Sequence, residues 1–148
     1  YRPHEFMRPM NVIGRDGILL NDVWRDKPVA YLSISIADFP NLFMLNGPNG
    51  PVGNFSLIEI AECQWSYIEQ LLEQLESPEC QEVSATEEAM GRFERARVER
   101  AKKTIFASGC ISWYLDSDGV PATWPWTRSE FKEAMERPVL ADFDLRVS

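Results

Sequence analysis

Residues 39–56 read FPNLFMLNGPNGPVGNFS, and no other stretch limits the possible folds as tightly. The run LFML is short and apolar, the type of segment buried on both faces, and it predicts an interior strand through LFMLNG. Three glycines and two prolines follow within residues 47–53. The hydrophobic period then changes. Leu57, Ala61, Trp65, Ile68, Leu72 and Leu75 recur at three and four residues, with Glu59, Glu62, Glu69, Glu73 and Glu76 between them. That spacing predicts a long amphipathic helix. Ser56 and Glu59 have the spacing of a capping box at its start, and Ser77-Pro78 stops it.

Weaker signals surround this unit. FMRPMNVIG reads as a strand, GRDG at residues 14–17 as a turn giving a hairpin-like entry, and LNDVW as one helical turn from Asn21. VAYLSISI at residues 29–36 alternates and is rich in β-branched residues, which predicts another strand. Phe39-Pro40-Asn41 is a turn, because proline holds the residue before it extended. A second helix is expected from Ser84, with Glu87 three residues on, Met90, Phe93, Ala96 and Ile105 on its apolar stripe, and a charged surface over RFERARVERAKK. GCISWYLDSDG, PATWPWT, a short helix over residues 129–136 and an extended LADFDL complete the chain.

Composition enters as a filter. A chain of 148 residues, 45% hydrophobic, is long and apolar enough to bury a core. A net charge of −8 argues against nucleic acid as partner, since phosphate binding needs a basic face. No apolar run reaches membrane-spanning length, and the first residues lack signal-peptide order. Cys63, Cys80 and Cys110 are odd in number and far apart, which points to neither a disulfide framework nor a zinc site. The expected setting is a reducing cytoplasm. The opening Tyr1 reads as the boundary of a piece of something longer.

A strand that ends in Gly-Pro-Asn-Gly-Pro and turns into a helix presents bare amides and the positive end of a helix dipole at the carboxyl end of a sheet. Glycine permits close approach by a flat ring or a phosphate, and proline makes the approach rigid. Tight turning alone accounts for most such glycines, and no G-x-G-x-x-G fingerprint is present. Both readings stand on the residues themselves.

Over residues 8–126, VAYLSISIADFPNLFMLNGPNGPVGNFSLIEIAECQWSYI, the turn GRDG before LNDVW, and GCISWYLDSDG followed by WPW together resemble flavin-containing monooxygenases of the Baeyer–Villiger, cyclohexanone-monooxygenase-like group. The resemblance is to the carboxyl-terminal portion of such enzymes. It implies an α/β fold, the late part of an FAD/NAD(P)-binding fold with two dinucleotide units. This chain by itself would then look α+β, with a few strands, two long helices and an extended tail. Residues 1–77 would close the FAD domain and residues 78–148 would form the carboxyl-terminal helix and closing segment. By the same resemblance, Gly47, Pro48, Asn49, Gly50 and Pro51 would pass near the flavin of FAD. Val52, Gly53, Asn54 and Phe55 would line its substrate side, and Trp113 would contact NADPH. The implied activity is insertion of one oxygen atom from O2 into a ketone or other small organic substrate.

Departures set the limits of that reading. No counterpart of the catalytic arginine or of the histidine fingerprint is found, His4 being the single histidine, so the chain alone is expected not to catalyse. DSDG after SWYL differs from the glycine and asparagine of the ketone oxidisers. The expected partners are substrate, O2, a missing amino-terminal part of the same protein and a possible second copy. A non-catalytic interaction module on the same scaffold is the competing reading. Trp113 and Tyr114 also suit a core beside Trp124 and Trp126. Cys110 reads as a small buried hydrophobe, and Asp116 and Asp118 as a turn rather than a calcium loop.

Overall fold

The computed structural model describes residues 7, 9–53, 55–104 and 115–147. Four α-helices and one two-stranded sheet are found among them: α1 (Leu20–Val23), α2 (Leu57–Leu75), β1 (Glu82–Ala85), α3 (Glu87–Ala101), α4 (Arg128–Glu136) and β2 (Phe143–Arg146). The mixture of helix and strand agrees with the fold class expected from sequence.

α2 forms where its periodicity placed it, but a neighbouring stripe is the one that faces inward. Ile60, Gln64, Tyr67, Ile68 and Leu71 are buried, while Leu57, Ile58 and Trp65 remain exposed. The expected capping box is absent, because Ser56 makes no side-chain bond to the helix and Glu59 is drawn to Arg128 and Lys132 of α4. α3 begins three residues later than the expected Ser84. Thr86 is its N-cap, accepting from the Ala89 amide at 3.1 Å, and Ser84 belongs instead to β1. Its inward stripe is Ala89, Phe93, Arg97 and Ala101, with Ala96 exposed. Ile105 lies outside the described residues. α4 carries the capping box that α2 lacks, between Thr127 and Glu130.

The sheet pairs β1 antiparallel with β2, Glu82 opposite Arg146 and Ala85 opposite Phe143. On its other side β1 meets Asn41 and Ser35 rather than a strand, the Asn41 amide donating to the Val83 carbonyl at 2.9 Å. The Val83 amide donates to Asn41 Oδ1 at 2.9 Å and the Ala85 amide to Ser35 Oγ at 2.9 Å.

Three expected strands resolve into turns and single bridges. Residues 9–14 contribute only the Ile13–Leu19 bridge around the tight turn Arg15–Gly17, where Asp16 and Gly17 both take positive φ. Residues 29–36 fold back on themselves. Leu32 and Ser33 adopt left-handed φ of 52° and 62°, and the Tyr31 and Ser35 amides each bond the other's carbonyl. The β-branched residues there serve burial, Ile34 and Ile36 being wholly inaccessible. Residues 42–44 run past Ser35 and bridge it through Phe43, after which the chain bends at Leu45 and Asn46, Asn46 taking a left-handed φ of 50°. The Met44 amide donates to Ile34 O at 2.9 Å, and the Asn46 amide to Gln64 Oε1 at 2.7 Å.

One core cluster joins Tyr31, Ile60, Phe93, Trp124, Phe131 and Phe143, so segments from both ends of the chain share it. A second, around Ile36 and Phe39, packs Leu20, Trp24, Ala30 and Met44. Among the described residues no helix is long and apolar enough to cross a membrane.

Candidate functional site

The glycine-rich loop connects residues 42–46 to α2, and most of it is buried. Gly47, Pro48, Gly50 and Pro51 are buried and Asn49 is half-buried. Ser33, held in its left-handed turn, donates from Oγ to the Pro48 carbonyl at 2.6 Å. Asn49 donates from Nδ2 to Pro28 O at 3.2 Å, and the Trp124 amide to Gly50 O at 3.3 Å. A Cβ at Gly47 would fall on the Ser33 carbonyl oxygen, well inside the 3.0 Å that real Cβ contacts respect. Backbone packing within the chain therefore requires glycine at position 47.

The end of the loop turns outward. Val52 and Gly53 are exposed, Gly53 with φ of 86°, and Phe55 is half-buried against Phe131, ring centroids 6.1 Å apart. Asn54 and Trp113 lie outside the described residues. The structure thus brings together Gly47 to Val52, Gly53 and Phe55. The amides of the first turn of α2 beyond them have no intrahelical acceptor, and no side chain from Ser56 serves them.

Beside this start of α2 lies an open groove of about 460 Å³, lined by Asn46, Leu57, Ile58, Ala61, Glu62 and Trp65. Asn46 Oδ1 and Gln64 Nε2 are buried nearby without a partner.

Two cations in the charge cluster behind the loop, Arg97 and Lys27, were not singled out in the sequence. Arg97, fully buried on α3, pairs with Glu94 at 2.7 Å and donates to the Pro121 carbonyl at 2.7 Å. Asp116 and Lys27 complete the charge cluster, each pairing with its neighbours at 3.8 Å or less. Burial lowers the Lys27 pKa, but hydrogen bonding to Asp118 and the nearby carboxylates outweigh it and raise the pKa. Arg97 thereby fixes the segment whose Trp124 amide grips Gly50. In the sequence Arg97 is one cation among many in RFERARVERAKK, and its only mark is a place on the Phe93–Ala101 stripe. Trp124 and Trp126 pack with ring centroids 4.8 Å apart and are core aromatics, as expected. DSDG is a turn, with Asp116 Oδ1 accepting from the Asp118 and Val120 amides. No cluster of metal-ligating side chains occurs among the described residues.

No protein-family model matches the chain. Individual proteins do. An uncharacterized monooxygenase of Mycobacterium tuberculosis is 39% identical over 97% of this chain, which spans 29% of that protein. A Baeyer-Villiger monooxygenase of Streptomyces coelicolor is 36% identical over 90% of this chain and 26% of its own length. Among solved structures, a cyclohexanone monooxygenase variant from Rhodococcus sp. Phi1 bound to NADP+ superposes with a TM-score of 0.79 at 28% identity, over 94% of this chain and 26% of that one. The class is thus defined: the chain is homologous to a portion of flavin-containing monooxygenases. Within that class its likeness is to the Baeyer–Villiger, cyclohexanone-monooxygenase-like group, in their carboxyl-terminal part.

Proposed function

We propose that this chain is the carboxyl-terminal portion of an FAD- and NADPH-dependent monooxygenase that transfers one oxygen atom from O2 to a ketone or other small organic substrate. The observation that carries the reading is likeness over nearly the whole chain, in sequence at 39% identity and in fold at a TM-score of 0.79. Residues 1–77 then close the FAD domain, and residues 78–148 form the segment that packs back on it.

The residues fit a flat, partly anionic cofactor at the outward end of the loop rather than in its buried part. Gly47 is filled by Ser33, whereas Val52 and Gly53 are exposed and the uncapped start of α2 offers amide donors toward a positive helix end. FAD reduced by NADPH would supply the O2 chemistry there. The chain's own part is to bind and orient. Gly53 turns the backbone outward, Phe55 is anchored on Phe131, and Leu57 and Ile58 give the site an apolar border that excludes water.

A non-catalytic module is the second reading. It is favoured by one observation: close packing on Ser33 explains Gly47 without any cofactor. A visible spectrum of the chain expressed with the polypeptide encoded before it decides between the two. A flavin band that bleaches with NADPH and returns in air supports the enzyme. A folded, colourless protein that takes up no added FAD refutes it and leaves the module.

A further inference from the structure

We infer that Ser33 is a positioning residue for the site at the end of the glycine loop: its hydroxyl fixes the Pro48 carbonyl, and through it the place where Val52 and Gly53 turn outward. The inference rests on the proposed function and names a residue through which the chain would orient the flavin.

Backbone conformation is the first reason. Leu32 and Ser33 take left-handed φ of 52° and 62° in succession, and both are buried. Apart from Met7, every other non-glycine residue with positive φ among the described residues is Asn or Asp, the types whose short polar side chains tolerate it. Glycine would adopt the Ser33 conformation without strain. Serine carries one thing that glycine lacks, a hydroxyl, and that hydroxyl is committed to the loop. Strain of this kind persists where the surroundings over-determine it, and such residues cluster at functional sites.

The bond itself is the second reason. Ser33 Oγ donates to Pro48 O at 2.6 Å, buried and between residues 15 apart in the chain, so it is no local turn bond. The loop has little of its own to hold it. Pro48 and Pro51 lack amides, and the one backbone bond within residues 47–51 runs from the Gly50 amide to Gly47 O at 3.3 Å. The other outside bonds, from Asn49 Nδ2 to Pro28 O at 3.2 Å and from the Trp124 amide to Gly50 O at 3.3 Å, are longer. Ser33 also borders the loop on either side of Pro48, with its carbonyl oxygen against Gly47 and its Oγ 3.4 Å from where a Cβ on Gly50 would stand.

Transmission to the outward end is the third reason. Only Asn49, Gly50 and Pro51 lie between Pro48 and Val52. Asn49 is tied to Pro28, Gly50 to Trp124, and Pro51 is fully buried with its φ fixed by the ring. A displaced Pro48 carbonyl therefore meets no slack residue before Val52 and Gly53, the exposed pair beside the uncapped start of α2.

The test uses the chain expressed with the polypeptide encoded before it. Ser33→Ala removes the hydroxyl and keeps the strained φ, whereas Ser33→Gly removes both. Val83→Ala, a fully buried change in β1, is the control for stability alone. Both Ser33 variants should bind FAD about fivefold more weakly by flavin fluorescence, the order that one lost buried hydrogen bond accounts for. The two losses should match, although Ser33→Gly keeps the higher urea midpoint. Val83→Ala should lower that midpoint and leave FAD affinity within about twofold of wild type. Unchanged FAD affinity in both Ser33 variants overturns the inference, as does a loss that follows the urea midpoint across all three. If Ser33→Ala does not fold, Ser33→Gly decides.

Hydrogen exchange read by mass spectrometry on the flavin-free protein separates this inference from the reading it rests on. Residues 47–53 should exchange about fivefold faster in both Ser33 variants while α3 is unchanged. Exchange of residues 47–53 equal to wild type overturns the inference. If the wild type takes up no FAD, the monooxygenase reading falls and the exchange result alone decides, faster exchange confined to residues 47–53 upholding Ser33 as the residue that fixes the loop.

Discussion

Gly47→Ala should destabilise this protein by about 2–4 kcal/mol, for reasons internal to the chain. The new methyl would overlap the Ser33 carbonyl oxygen and approach the Met44 Cβ to 3.2 Å. The oxygen is backbone and cannot rotate away, so residues 31–35 and 44–48 must separate. Overpacking of this kind costs roughly 1–3 kcal/mol. Separation also stretches the 2.6 Å bond from Ser33 Oγ to Pro48 O, a buried hydrogen bond contributing about 1 kcal/mol more. Gly50→Ala is the control. Its added Cβ would meet nothing nearer than 3.3 Å, so a loss below about 1 kcal/mol is expected. Urea unfolding followed by circular dichroism and tryptophan fluorescence gives both numbers. A Gly47→Ala protein within about 0.5 kcal/mol of wild type would refute the argument that self-packing fixes this glycine.

Arg97→Met should cost about 3–5 kcal/mol in the same assay, since it leaves Glu94 and the Pro121 carbonyl without their buried donor; a loss under about 1 kcal/mol would show the cluster to be dispensable. Gly91→Ala, within α3 and close only to the mobile end of Arg95, should stabilise by about 0.5–1 kcal/mol, and a drop in urea midpoint would contradict this. Hydrogen bonds from Arg128 and then Lys132 hold the Glu59 pKa below its ordinary 4.5. Its stabilising contribution is therefore complete above that value and is lost as pH falls through the lowered one. Glu59→Gln should be less stable than wild type at neutral pH and should converge with it on acidification. A gap in urea midpoint that does not narrow would refute the linkage.

What the sequence disclosed follows from how local each signal is. α2 and α4 carry their periodicity and stop signals within themselves, and both form near the expected residues. Which face of α2 is buried depends on what packs there. Ile60, Tyr67 and Leu71 lie one helical step from the stripe that spacing favoured, and tertiary contacts decided between them. β1 was missed because EVSA is four residues long and bounded by helix signals, and its partner lies at the far end of the chain. The alternation in residues 29–36 was real. It serves a turn buried from all sides, an outcome period alone does not separate from a strand. Of the candidate site, the glycine loop was visible in composition. The reason for Gly47 was not, because Ser33 reaches it only after the chain folds back.

The register of β1 against β2 has a consequence for how the protein is made. Val83 meets Leu145 only after α3 and α4, which lie between them in the chain, have been synthesised, so the pairing closes a long loop. Closing such loops is entropically slow, and structure dominated by distant pairs folds later than local helices. On the ribosome α2 emerges long before Phe143, the ring that packs with Tyr31 and Tyr67 over its inner face. For that interval the buried side of the helix stays open to water, which marks it as the surface a nascent-chain chaperone would meet first.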